Sequence, residues 1–186
     1  MNSIGAYLLQ RFPPAVFGPA VISIAGVALW AVERPSTLRF LHALTLGLIL
    51  ITQFRLWDDL EDRERDRLVH PERVLTMTAT GRFRVLLSVL VVAAAAACAG
   101  RAAALAALAV TEFTFWWAYR WLRPRLADDT WCFGVLLLKY PALLCVTTLA
   151  IDAPVPRRLG IAAIAAYLCA AGYELWHNRP LHLGVS

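Results

Sequence analysis

Long apolar runs alternate with short polar breaks along this chain, and the runs have a common length. They lie near 14–32, 38–56, 84–100, 102–120, 131–151 and 159–176, each close to the roughly 20 residues an α-helix needs to cross a hydrocarbon core. Pro35 and its polar neighbours separate the first two runs, and Pro154 with Pro156 the last two, as expected where helices must turn. The pattern predicts an all-α, polytopic transmembrane helical bundle of about six spans, forming a single transmembrane domain over 1–186. Arg11-Phe12-Pro13-Pro14 precedes the first run and no clear small-residue cleavage site ends it, so it reads as a helix rather than a signal peptide.

Composition supports this reading: 60% of the residues are hydrophobic and 17% charged, too apolar for an average soluble domain. Alanine dominates from Ala93 to Ala109, where small side chains allow the close helix packing that association in lipid relies on. Cys98, Cys132, Cys145 and Cys169 lie in apolar segments without metal-ligand spacing. They read as packing residues, with no disulfide framework.

The basic residues fix an expected topology. Placing breaks on alternate sides puts Arg11, the seven arginines from Arg55 to Arg84, Arg120, Arg123, Arg125 and Arg179 on one side. Arg34, Arg39, Arg101, Arg157 and Arg158 fall on the other, and Lys139 inside a span. The bias predicts that both termini and the long break after the second run are cytoplasmic, in a bacterial inner membrane. The net charge of +5 follows from short loops rather than one basic domain, so no nucleic-acid partner is expected.

That long break carries the candidate chemistry. Asp58, Asp59, Asp62 and Asp66 fall within an arc of about 100° on a helix advancing about 100° per residue. Such crowded carboxylates repel, and they take up protons or recruit cations, which makes a divalent metal a natural partner. A solvated loop holding two spans apart is the plainer alternative. Glu112 lies near the middle of the fourth run, where a charged side chain costs about 2.5–3.5 kcal/mol on insertion scales, so it is expected to face the bundle interior. Phe113, Phe115, Trp116 and Trp117 beside it either line a chamber or pack.

The string Asp58-Asp59-Leu60-Glu61-Asp62-Arg63-Glu64-Arg65-Asp66 resembles the first aspartate motif, N-D-x-x-D-x-x-x-D, of the UbiA superfamily of intramembrane prenyltransferases. Asp58 replaces the usual Asn, while Asp59, Asp62 and Asp66 match. His70-Pro71-Glu72-Arg73-Val74-Leu75 is similar to the family's loop ending in Arg-Pro-Leu, with Val74 for Pro, and Arg11-Phe12-Pro13-Pro14 looks like the start of the first helix in some members. The six runs correspond to six of the family's usual nine spans, the last three having no counterpart in this sequence. The resemblance implies a cavity that a second copy or a partner subunit closes.

It further implies that magnesium (Mg2+) held by Asp58, Asp59, Asp62 and Asp66 grips the diphosphate of a prenyl diphosphate, whose isoprenoid passes to an acceptor in a dry chamber. The family's second motif, D-x-x-x-D, falls on Glu174 and Asn178. These share a helix face at i and i+4 and would add oxygen ligands; a polar helix end is the alternative. Arg73, Tyr119, Arg120, Arg123, Lys139 and Tyr140 occupy positions expected to contact diphosphate, though interface anchoring and snorkelling also suit them. The expected function is a magnesium-dependent intramembrane prenyltransferase. The alternatives are a terpene cyclase of the same type and a non-catalytic membrane protein that binds an isoprenoid or a partner.

Overall fold

A computed structural model of the chain describes residues 3–30, 32, 35–125, 134–152 and 157–177, the side chains of 157–158 and 173–177 excepted. Among the described residues every regular element is helical. The order is α1 (Ser3–Arg11), α2 (Pro14–Trp30), α3 (Thr37–Glu61), α4 (Arg63–Val69), α5 (Val74–Met77), α6 (Gly81–Ala97), α7 (Ala102–Trp117), α8 (Lys139–Ala150) and α9 (Arg157–His177). A π turn, Ala118–Leu122, and a short 3-10 turn, Arg123–Arg125, extend α7 without a break.

Each apolar run of the sequence contains a helix, but the helices differ in reach. Two are long and apolar enough to cross a membrane: α3, and α7 with its extension to Arg125. The pair α1–α2 makes a third if its 76° bend at Phe12-Pro13 is counted within one span. Both α2 and α6 contain 17 residues, about 26 Å of helix against a core of about 30 Å. The described part of the chain is therefore all-helical, with two helices, or three if the bent pair is one, long and apolar enough for a membrane protein.

α3 organises the rest. Its start is set by Ser36, whose hydroxyl accepts from the Arg39 amide at 3.3 Å, which satisfies one of the unpaired donors of the first turn. Its 25 residues span about 38 Å, longer than the hydrocarbon core, so its last turns project past the apolar layer. The acidic segment begins on those turns. Helices α2, α6 and α8 pack along α3, and α8 also packs on α2, α7 and α9. Leu46, Leu50 and Phe54 of α3, Leu108 and Phe115 of α7, and Leu143 and Val146 of α8 form the main core. A second cluster of Tyr7, Leu56, Leu75 and Phe83 ties α1 and the loop helices to α3 and α6.

The contact of α2 with α3 runs across small residues, Ala25 and Ala28 facing Ala43 and Gly47, all close-packed. Without a hydrophobic driving force in lipid, such backbone proximity is what holds two helices together. A Cβ added at Gly47 would meet Ile24 Cγ2 at 3.6 Å and Val21 Cγ1 at 3.8 Å, ordinary contact distances. Gly47→Ala is therefore expected to unfold at the wild-type temperature or above. Gly47→Leu is expected to lose about 1–3 kcal/mol by overpacking. Thermal unfolding of the detergent-solubilised protein checks both.

Candidate functional site

The four aspartates emerge where α3 passes into α4, and each has its own cationic partner. Asp58 accepts hydrogen bonds from the Tyr119 hydroxyl on one oxygen and from Lys139 Nζ on the other. Asp62 accepts from Arg123 at 2.5 Å. Asp59 is held by Arg11 at 2.5 and 2.9 Å and by the Tyr7 hydroxyl at 2.8 Å, with Arg55 3.7 Å away. Asp66 accepts from Arg73 at 2.5 Å. The repulsion expected from the sequence is relieved by side-chain cations drawn from four other segments.

A common register aligns α3 with α7. Phe54 meets Phe115 with ring centroids 5.1 Å apart, Asp58 meets Tyr119, and Asp62 meets Arg123. Successive partners advance four residues on each helix, so side chains from one face of α3 reach side chains from one face of α7 as the two run in the same direction. The rungs pass from aromatic, through phenol and carboxylate, to guanidinium and carboxylate. Tyr119 lies in the first part of the π turn and Arg123 follows it. Such turns concentrate at sites where a side chain must be re-aimed. The Arg123 guanidinium lies 5.9 Å from the Tyr119 ring centroid, and the Trp57 ring is tilted against the same ring at 6.0 Å.

The opposite flank is built by the loop between α4 and α6. Arg63 donates to the carbonyls of Leu75 at 2.9 Å and Thr78 at 3.1 Å. The Gln10 side chain accepts from the Val74 amide at 2.9 Å, joining this loop to α1. Helix α1 lies outside the apolar runs, and burial followed by the adjacent Asp59 carboxylate pushes the Tyr7 phenol far above its ordinary range. It therefore remains a hydrogen-bond donor at any physiological pH.

Most of the residues expected from the sequence converge here: Asp58, Asp59, Asp62, Asp66, Arg73, Tyr119, Arg123 and Lys139. Tyr140 stands next to them, its ring 5.6 Å from Lys139 Nζ. Arg120 is exposed and takes no part in the hydrogen bonds described. The side chain of Glu174, and Asn178 as a whole, lie outside the described residues. Tyr7, Gln10 and Arg55 were not singled out by the sequence. A helix-spaced Tyr7/Arg11 pair in front of the first apolar run was the available signal for the first of these. One level deeper, the fully buried Gln53 donates to Glu112, consistent with an interior-facing Glu112.

Among the described residues no group of three or more His, Cys, Asp or Glu side chains is gathered as a metal site. Magnesium is commonly held by one or two carboxylates completed by substrate phosphates rather than by an all-protein cage. Asp58 and Asp62, one turn apart and facing α7, fit that two-carboxylate pattern. Comparison of the chain with protein-family models, curated proteins and solved structures finds no match.

The Lys139–Asp58 pair is buried, each side chain being 13% exposed. Removing one partner leaves an uncompensated charge. Lys139→Met is expected to cost about 3–5 kcal/mol of stability, and Lys139→Met with Asp58→Asn to recover most of it. A double-mutant cycle read by chemical unfolding in micelles checks this, and a single-variant loss below about 1 kcal/mol would show the pair to be solvated.

Proposed function

We propose that the protein is a magnesium-dependent intramembrane enzyme of the UbiA type, which transfers an isoprenoid from a prenyl diphosphate to an acceptor. The observation that carries the reading is the meeting of Asp58 and Asp62 with Tyr119, Arg123 and Lys139 at the end of an apolar bundle. In this reading the six apolar runs are six spans, and both termini and the acidic segment are cytoplasmic. A second copy or a partner subunit closes the cavity.

Asp58 and Asp62 would hold magnesium together with the diphosphate, with Asp59 and Asp66 as further ligands and Glu174 and Asn178 supplying the second motif. Bound magnesium neutralises diphosphate charge and so favours its departure. Lys139, Arg123 and Arg73 turn from their aspartates to the diphosphate oxygens and hold them in line for C–O cleavage, in which the bonding pair leaves with the diphosphate. Phe54, Phe115 and Trp57 offer aromatic faces to the allylic cation left behind. The acceptor then captures that cation and loses a proton. Capture by the substrate's own double bond would make the protein a terpene cyclase instead.

A second reading, a non-catalytic membrane protein that binds an isoprenoid or a partner, draws on the same network. Every aspartate of the cluster already has a cationic partner, which suits a structural clasp as well as a resting site. Release of diphosphate from radiolabelled prenyl diphosphates of several chain lengths separates the two. The enzyme reading expects release that chelation abolishes and magnesium restores, with Asp62→Ala lowering it by about 100-fold or more. Absence of release by folded protein at every chain length, with and without candidate acceptors, favours the clasp.

A further inference from the structure

On the flank of α3 turned away from the aspartates lies a hollow of about 330 Å³, lined by Trp57, Leu60, Glu61, Arg63, Thr80 and Arg84 among others. Positions 57, 60 and 61 centre about 160° around α3 from Asp58 and Asp59. None of the four aspartates lines the hollow, and only Trp57 borders both it and the Tyr119 ring of the site above. Its charges are incompletely matched. Arg63 is spent on the carbonyls of the 75–78 loop and Glu64 is paired with Arg67 at 3.1 Å. Glu61 receives only a long contact from the Trp57 indole, 3.4 Å, and has no cationic partner among the described residues. Arg84 likewise forms no ion pair among them. An anion and a cation thus line one hollow without neutralising each other.

Arg84 also heads a second hollow, an apolar trough of about 420 Å³ along α6 lined by Val85, Ser88, Val89 and Val92. These positions repeat at three and four residues and form one stripe, which descends about 12 Å from the polar end of α6 toward the middle of the apolar run. The Ser88 hydroxyl donates back along α6 to the Arg84 carbonyl at 3.1 Å, so its hydrogen-bonding capacity is met within the helix. Polar and apolar compartments meet at one residue, Arg84.

We propose that this joined hollow is a binding site for a zwitterionic glycerophospholipid. The phosphate is held by Arg84 and the Thr80 side, the ammonium by Glu61 beside Trp57, and an acyl chain lies in the α6 trough. A purely anionic headgroup satisfies Arg84 but sets its charge against Glu61, whereas a zwitterion answers both. The inference requires only that α3 and α6 lie in a bilayer. It stands whether or not the aspartate site is catalytic.

Native mass spectrometry of the full chain in detergent, offered phosphatidylethanolamine, phosphatidylcholine and phosphatidylglycerol in turn, tests it. A zwitterionic lipid is expected to be retained about tenfold more readily than phosphatidylglycerol, and Arg84→Ala or Glu61→Gln to lower that retention by about fivefold to tenfold each. Val89→Trp, at a 56% exposed position, fills the trough and is expected to abolish retention. Val110→Trp, at a 65% exposed position on α7, is expected to leave it unchanged. Equal retention of all three lipids overturns the proposal, as does a Val89→Trp variant that behaves like Val110→Trp. The substituted side chains are exposed, so the variants are expected to fold, and unchanged unfolding temperatures check that they do.

Discussion

Four carboxylates within little more than two turns of chain cannot stand side by side at a membrane edge without compensation, and the fold around the end of α3 is the form that compensation takes. Arg11 comes from α1, Arg73 from the loop before α5, Arg123 from the extension of α7, and Lys139 from the start of α8. Removing any one of these segments takes a close cationic partner from one of the acids. Partly buried ion pairs add little net stability over apolar packing, but breaking one is costly. Their effect is therefore to select one arrangement of segments rather than to strengthen a given arrangement.

That selection sets register as well as proximity. The rungs Phe54–Phe115, Asp58–Tyr119 and Asp62–Arg123 admit a single alignment of α3 with α7. A slip of one turn would set Asp58 against Phe115, burying a carboxylate on an aromatic ring. The Gln53–Glu112 bond repeats the constraint nearer the middle of the helices, where a lone polar group would be expensive. Aromatic contact supplies adhesion along this seam, and the polar rungs supply its alignment.

The sequence disclosed as much of this as local periodicity can carry. Apolar runs located the helices, the spacing of Asp58, Asp59, Asp62 and Asp66 placed four acids on one arc, and an interior-facing Glu112 followed from the cost of burying charge. Run length did not translate directly into spanning helices. Residues 14–32 begin at a bend after α1, and the helix in residues 134–150 is interrupted by a turn at Leu137–Leu138. Partner identity was beyond reach for a different reason: the pairing of Asp59 with Tyr7 and Arg11 depends on how a nine-residue helix folds back across the bundle. The snorkelling alternative for Lys139 was equally open until the position of α8 set its ammonium against Asp58. The fit between Asp58/Asp62 and Tyr119/Arg123 combines two i, i+4 pairs that are each visible in the sequence, but the offset joining them is tertiary.

The pairing also limits what can enter the site. Asp58 and Lys139 are both mostly buried, so a bare cation drawn to Asp58 would have to leave the Lys139 ammonium without its acid. A bare anion drawn to Lys139 would strand Asp58 in the same way. Each exchange leaves a desolvated charge uncompensated, at a cost of several kcal/mol. A ligand that brings both signs together meets no such penalty, because its cationic part can take the carboxylates while its anionic part takes Lys139 and Arg123. A diphosphate with its divalent metal is such a ligand. On charge alone, then, metal and diphosphate are expected to bind cooperatively, each raising the affinity for the other, and neither is expected to bind strongly by itself.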